Sequence, residues 1–286
     1  MTKILNAATI IESKIDTLRQ KVLELEKNGL CPSLSVILVG DNPASLSYIK
    51  NKRRFCERIG AKFDLIQLKE DVTQEQFLNE VDKINNAPNV TGCFVQLPVP
   101  KHLQSIDITQ LINPKKDVDG FHLDSINQIY TGDLSGLISC TPKGIVTLLK
   151  ENQIQIEGSD IVILGRSHIV GKPLSLLLQT LNATVTLCHS RTKDIKKHTQ
   201  KADIIIAAIG NAHFVDRSYL SGKKNQVIVD VGMNKKDGKL VGDVNYQDVF
   251  DEVKAITPVP GGVGPMTVFS LMENLIQATS NILNKG

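Results

Sequence analysis

Tyr48 and Lys52, in the run Ser47-Tyr48-Ile49-Lys50-Asn51-Lys52, are four residues apart. On a helix they share one face, about 6 Å apart along the axis. A phenol beside an amine can pass protons to and from a bound substrate. A solvated basic helix shows the same spacing, and Lys50, Arg53 and Arg54 crowd these turns. Gln96 and Leu97 end an apolar run that Pro98 and Pro100 cut off. Ligands of open α/β sheets bind beyond the carboxyl ends of the strands, so Lys52 and Gln96 can line one crevice. Asp119 lies in the turn-rich stretch Asp117-Val118-Asp119-Gly120. A carboxylate there can accept two N–H donors from an amidine-like ring edge, or simply close a turn.

A different chemistry is written between Asp160 and Pro173. The apolar run Ile161-Val162-Ile163-Leu164 stops at Gly165, a polar turn Arg166-Ser167-His168 follows, and Gly171-Lys172-Pro173 opens into Leu174-Ser175-Leu176. This reads as a buried strand, a tight turn and the first turn of a helix. Such a junction aims backbone N–H groups and a helix dipole at one point, which suits a phosphate. The spacing departs from G-x-G-x-x-G, with Ser167 where the second glycine would stand. After the next strand, a fold that prefers NAD places an acid to bind the ribose 2′-hydroxyl. Here His189-Ser190-Arg191 stands instead. With Arg166, this makes a cationic setting that favours NADP, unless both arginines are merely solvated.

The elements that must position these residues alternate. Apolar periodicity gives helices over 10–28, 44–59 and 73–86, the last with Thr73 and Gln76 in capping-box register. Strands are expected at 34–40, 63–68 and 92–97, then at 161–164, 184–188, 203–209, 226–231 and 253–256. Alternation of this kind implies parallel sheets covered on both faces. Thr141-Pro142 is expected to cap a helix, with proline in its first turn. Residues 258–265, rich in Gly and Pro, are expected as loop, and a final amphipathic helix from Met266 is expected to pack back on the first domain.

Composition narrows the field. The 286 residues allow about two domains, and a net charge of +3 gives no reason for nucleic acid or a membrane as partner. There is no Trp, which speaks against base-stacking platforms. The five cysteines are scattered, without C-x-x-C. That argues against a disulfide framework or a metal site and for a reducing, cytoplasmic setting. No segment has the 18 uninterrupted apolar residues of a membrane span.

Five motifs then occur in order: Tyr-x-x-x-Lys at 48–52, Gln-Leu-Pro-x-Pro at 96–100, Lys-Asp-Val-Asp-Gly at 116–120, Gly-Arg-Ser-x-x-Val-Gly-x-Pro at 165–173 and Pro-Gly-Gly-Val-Gly-Pro-Met-Thr at 260–267. With them the chain resembles, nearly end to end, the bifunctional methylenetetrahydrofolate dehydrogenase/cyclohydrolase family. The resemblance implies two α/β domains around a cleft, in a homodimer. Residues 1–139 plus 267–286 would form a folate-binding catalytic domain, and 140–266 a Rossmann-like NADP-binding domain. It implies NADP-dependent oxidation of 5,10-methylenetetrahydrofolate to the methenyl form, then hydrolysis to 10-formyltetrahydrofolate, within one-carbon metabolism.

By motif, Lys52 would be the central catalytic residue. Tyr48 would pack along the folate, Gln96 would hydrogen-bond Lys52, Leu97 would border the substrate and Asp119 would bind the pterin edge. Gly165, Arg166 and Ser167 would hold cofactor phosphates, Ser190 and Arg191 would lie near the adenosine phosphate, and Val231 near the nicotinamide. Gly262, Val263, Pro265 and Thr267 would line the cleft from its far side. The oxidation develops positive charge between two nitrogens, so Lys52 is expected to be at least partly neutral in the ternary complex and able to assist water attack afterwards. The alternatives are a shikimate dehydrogenase-like NADP oxidoreductase, or a non-catalytic NADP-binding regulatory protein.

Overall fold

A computed structural model describes residues 1–284. The chain opens with β1 (Lys3–Ile4) and α1 (Ala7–Lys27). Next come β2 (Ser33–Val39), α2 (Pro43–Ile59), β3 (Lys62–Leu68), α3 (Gln74–Asn86) and β4 (Gly92–Val95). Two helices follow, α4 (Leu123–Tyr130) and α5 (Cys140–Glu151). Then β5 (Asp160–Leu164), α6 (Gly171–Thr180), β6 (Thr184–Cys188), α7 (Ile195–Thr199), β7 (Ile204–Ala207) and β8 (Val227–Asp230) alternate. The last elements are β9 (Asn234–Lys236), β10 (Lys239–Val241), α8 (Tyr246–Val249), β11 (Ala255–Ile256) and α9 (Val263–Leu283).

The chain forms two compact units. One comprises 12–140 with the described residues from 268 onward, the other 1–11 with 141–267. In the first, β2 is the centre of a parallel sheet ordered β3-β2-β4. All seven β2 residues are buried, including Ser33 and Ser35, as the middle strand of a sheet covered on both faces requires. Val39, Phe77, Val81, Val95 and Leu103 belong to its core. Local chemistry sets the helix ends. Asn42 caps α2 by accepting from the amides of Ala44 and Ser45, with Pro43 following. Thr73 and Gln76 form the expected capping box at the start of α3. The final helix returns to this unit, as expected: Phe269 packs edge-on to Phe55 at 6.3 Å between ring centroids.

The second unit has a six-stranded parallel sheet ordered β1-β11-β8-β7-β5-β6. Strand order reverses at β5, whose neighbours are β6 and β7. Ile163, Ile205, Ile206, Ile228 and Val229 are fully buried. The sheet's outermost strand comes from the chain's first residues, with Lys3 opposite Ala255, a pairing that no local pattern announces.

Two expectations about helix starts are corrected. Val263, Gly264 and Pro265 are helical, because α9 begins three residues before Met266; proline in a first helical turn sacrifices no intrahelical bond. Thr141 does not precede α5 but lies inside it, since the helix begins at Cys140. There its hydroxyl lies 3.1 Å from that of Thr267.

Candidate active site

Three elements of the first unit bring the predicted residues together. Lys52 is on the buried face of α2, only 8% exposed. Its Nζ donates to Gln96 Oε1 at 3.2 Å and lies 3.8 Å from the centroid of the Phe94 ring. Phe94 and Gln96 are two apart on an extended chain, so both project from one face of the sheet. Sequence reasoning missed Phe94, although that period of two was its signal. Gln96 lies just past β4 and is fixed twice more: its backbone amide bonds Ile37 O, and its Nε2 donates to Leu97 O at 2.9 Å. The Oε1 atom is thereby left to face Lys52. Tyr48 is half-buried one turn before Lys52, and burial pushes its phenol pKa up.

The chain beyond β4 returns as a parallel bridge, Cys93 opposite Asp117, which places Asp119 at the same sheet end. Burial raises the Asp119 pKa, and the Lys52 charge pulls it the other way; that opposition ties the two residues electrostatically. Asp117, a residue assigned no role from sequence, organises the loop. Its carboxylate accepts from the amides of Gly120, at 3.2 Å, and His122, at 2.7 Å. Desolvation and neighbouring Asp119 push its pKa up to about 7 against those hydrogen bonds. Behind the loop, fully buried Asn274 of α9 donates through Nδ2 to Val118 O at 2.9 Å and Ile138 O at 2.7 Å. Leu97 is partly buried at the same strand end.

In the second unit the remaining residues gather at the carboxyl end of its sheet. Gly165 follows β5 at the reversal of strand order, with φ +114°. A side chain there would run into Ala208 O. A side chain at Gly171 would run into Gly165 O, so the turn and the start of α6 pack backbone to backbone. Ser167 Oγ accepts from the amides of Val170 at 3.2 Å and Gly171 at 3.4 Å, leaving its O–H to donate outward. Arg166 and Ser167 are exposed. This bare-backbone turn at a helix start, with one hydroxyl and one guanidinium, fits a phosphate.

Ser190 and Arg191 are exposed just after β6, in a turn where His189 N bonds Thr192 Oγ1 at 2.9 Å. Val231 follows β8, its amide bonded to Ala207 O at 2.8 Å. Gly262 is packed against Pro258 O and Thr257. Val263, Pro265 and Thr267 lie in the first turns of α9, and Thr267 Oγ1 donates to Val263 O at 3.2 Å.

The family model for the tetrahydrofolate dehydrogenase/cyclohydrolase catalytic domain matches residues 5–119, and that for the NAD(P)-binding domain of the same family matches residues 139–283. The chain is 46% identical over 283 residues to the bifunctional protein FolD of Oceanobacillus iheyensis, covering 99% of this chain and 98% of that one. Among solved structures it is similar to the bifunctional FolD enzyme of Campylobacter jejuni, with TM-score 0.94 and 40% identity over 98% of this chain and 99% of that one. It is also similar to the Trypanosoma brucei dehydrogenase-cyclohydrolase complexed with NADP cofactor and inhibitor, with TM-score 0.91 and 30% identity over 98% of each chain. The buried Lys52–Gln96 pair, the phosphate-fitting turn at β5 and these end-to-end matches agree: the chain belongs to the tetrahydrofolate dehydrogenase/cyclohydrolase family.

Proposed function

We propose that this protein oxidises 5,10-methylenetetrahydrofolate with NADP, hydrolyses the methenyl product to 10-formyltetrahydrofolate, and directs both steps through Lys52. The observation that carries this reading is the placement of Lys52. Its amine is buried, and it is fixed by an amide oxygen and a ring face, neither of which carries a formal charge. Asp119 at the same sheet end is the acceptor suited to a pterin N–H edge.

The substrate carbon lies between two nitrogens, whose lone pairs release a hydride and leave a delocalised cation. NADP, when bound, accepts that hydride. Gly165, Arg166 and Ser167 would hold its phosphates, Ser190 and Arg191 the adenosine side, and Val231 the nicotinamide side. The absence of a carboxylate in His189-Ser190-Arg191 favours NADP over NAD. For the oxidation, the chain's own residues orient the folate through Tyr48, Leu97 and Asp119. Gly262, Val263, Pro265 and Thr267 are further candidates for binding the substrate. For the hydrolysis, water adds to the methenyl carbon and loses one proton; the carbon–N5 bond then breaks as the remaining hydroxyl proton passes to N5 and the formyl C=O forms on N10. Lys52, oriented by Gln96, assists the proton transfer. We read the assembly as a homodimer and the setting as the cytoplasm, in keeping with five free cysteines.

Lys52→Met tests the assignment. Hydrolysis of methenyltetrahydrofolate, followed by loss of its absorbance, is expected to fall at least ~100-fold, the scale of a lost general acid–base group. A near-wild-type rate would remove Lys52 from the mechanism. The same preparation of wild-type enzyme is expected to reduce NADP faster than NAD with methylenetetrahydrofolate. Equal rates would overturn the cofactor preference.

A further inference from the structure

Two carboxylates that the mechanism does not use lie under the nucleotide-binding loops. Asp243 is fully buried and Asp230 is 3% exposed. Asp243 Oδ2 accepts from the amides of Ile209 at 2.7 Å and Gly210 at 3.0 Å. Its Oδ1 accepts from the amide of Asn211 at 2.8 Å and from Asn234 Nδ2 at 2.9 Å. Three consecutive amides and a side chain therefore converge on one carboxylate. Asp230 holds Asp243 in turn: its Oδ1 accepts from the amides of Asp243 and Gly232, each at 2.9 Å, and its Oδ2 accepts from that of Val244 at 2.9 Å. Gly232 and Gly242 leave room for this arrangement, since a side chain at either would strike the Asp243 or Asp230 carboxylate respectively.

The segment that Asp243 grips is the one behind the phosphate-fitting turn. Ala208 O and Ile209 Cγ2 are the atoms a side chain at Gly165 would meet. The partner of Asp243, Asp230, immediately precedes Val231. One buried carboxylate thus refers both the Gly165 turn and the Val231 end to a common point. A carboxylate is the group this geometry calls for, because it accepts on both oxygens. The amide of an asparagine would turn N–H against N–H on one side and leave buried donors unmet.

We propose that Asp243 is a positioning residue for the dinucleotide, setting the Gly165–Ser167 turn and Val231 at the spacing one bound cofactor requires. The inference rests on the NADP reading above and predicts a split between the two activities, since hydrolysis of methenyltetrahydrofolate consumes no NADP. Asp243→Asn is expected to raise KM for NADP about tenfold, the effect of unmet buried donors, while cyclohydrolase KM and kcat stay within about twofold. Asn234→Ala removes a single donor and is expected to raise KM for NADP about threefold, which decides the matter if Asp243→Asn does not fold. Asp248→Asn, which breaks the surface pair with Arg217 in the same unit, serves as control and leaves KM for NADP unchanged. An unchanged KM in both test variants, or a parallel loss of both activities, overturns the positioning role. Failure of the wild-type enzyme to reduce NADP at all would instead overturn the functional reading itself.

Discussion

At the scale of single residues, the site couples an amine to carboxyl groups that are reluctant to ionise. Asp117 is the plainest case, with its pKa pushed up to about 7 by burial and by Asp119. In the unfolded chain it returns to the ordinary aspartate range, near 4. Between those values the native state binds more protons than the unfolded one, so the Asp117 contribution to stability falls as pH rises from about 4 to about 7 and is flat above. Asp117→Asn removes that titration. Plotted against pH, the melting temperature of the variant minus that of the wild type is expected to climb through this window. A flat difference would place the Asp117 pKa in the ordinary range. Near neutral pH the loop therefore carries less negative charge than its two aspartates suggest.

At the scale of elements, the loop bearing Asp119 is clamped by packing. Gly92 begins β4, and a side chain there would run into Val118 and Leu275. Gly92→Ala is expected to cost about 1–3 kcal/mol by overpacking, read from the denaturant midpoint. It is also expected to raise KM for the folate substrate in both activities, because Val118 adjoins Asp119. Stability loss with unchanged KM would show the loop to be independent of this contact.

Much of this level was legible in the sequence. The β2, β5 and β6 runs, the Thr73–Gln76 capping box and the Tyr48–Lys52 face follow from periodicity and cap chemistry. The β9–β10 hairpin escaped notice although Asp237-Gly238, both at positive φ, is a turn signal. The Asp230–Asp243 pair was illegible for a physical reason. All but one of the donors to its carboxylates are backbone amides, from three separate loops, and backbone amides carry no sequence signature. Phe94 was passed over because it read as core, and its second role exists only once Lys52 is overhead.

At the scale of the whole molecule, the chain crosses between its units near residue 11, at 140/141 and near residue 267, so neither unit is a single stretch of sequence. The first crossing makes the opening residues part of the nucleotide-binding unit. Leu5 is fully buried and its amide bonds Ile256 O at 2.8 Å. Deleting residues 1–6 is expected to lower stability by at least ~2 kcal/mol, the burial value of one leucine, and to leave β11 as a bare sheet edge. Calorimetry and light scattering would check both effects. Unchanged melting and solubility would mean that β1 is dispensable.

That pairing of β1 with β11 also orders events in time. Lys3 lies opposite Ala255, so β1 meets its partner only after the long stretch between them has been made. Closing so long a loop gains little until the intervening sheet exists to reward it. The β1–β11 edge is therefore expected to seal late in folding, after the strands between them have paired.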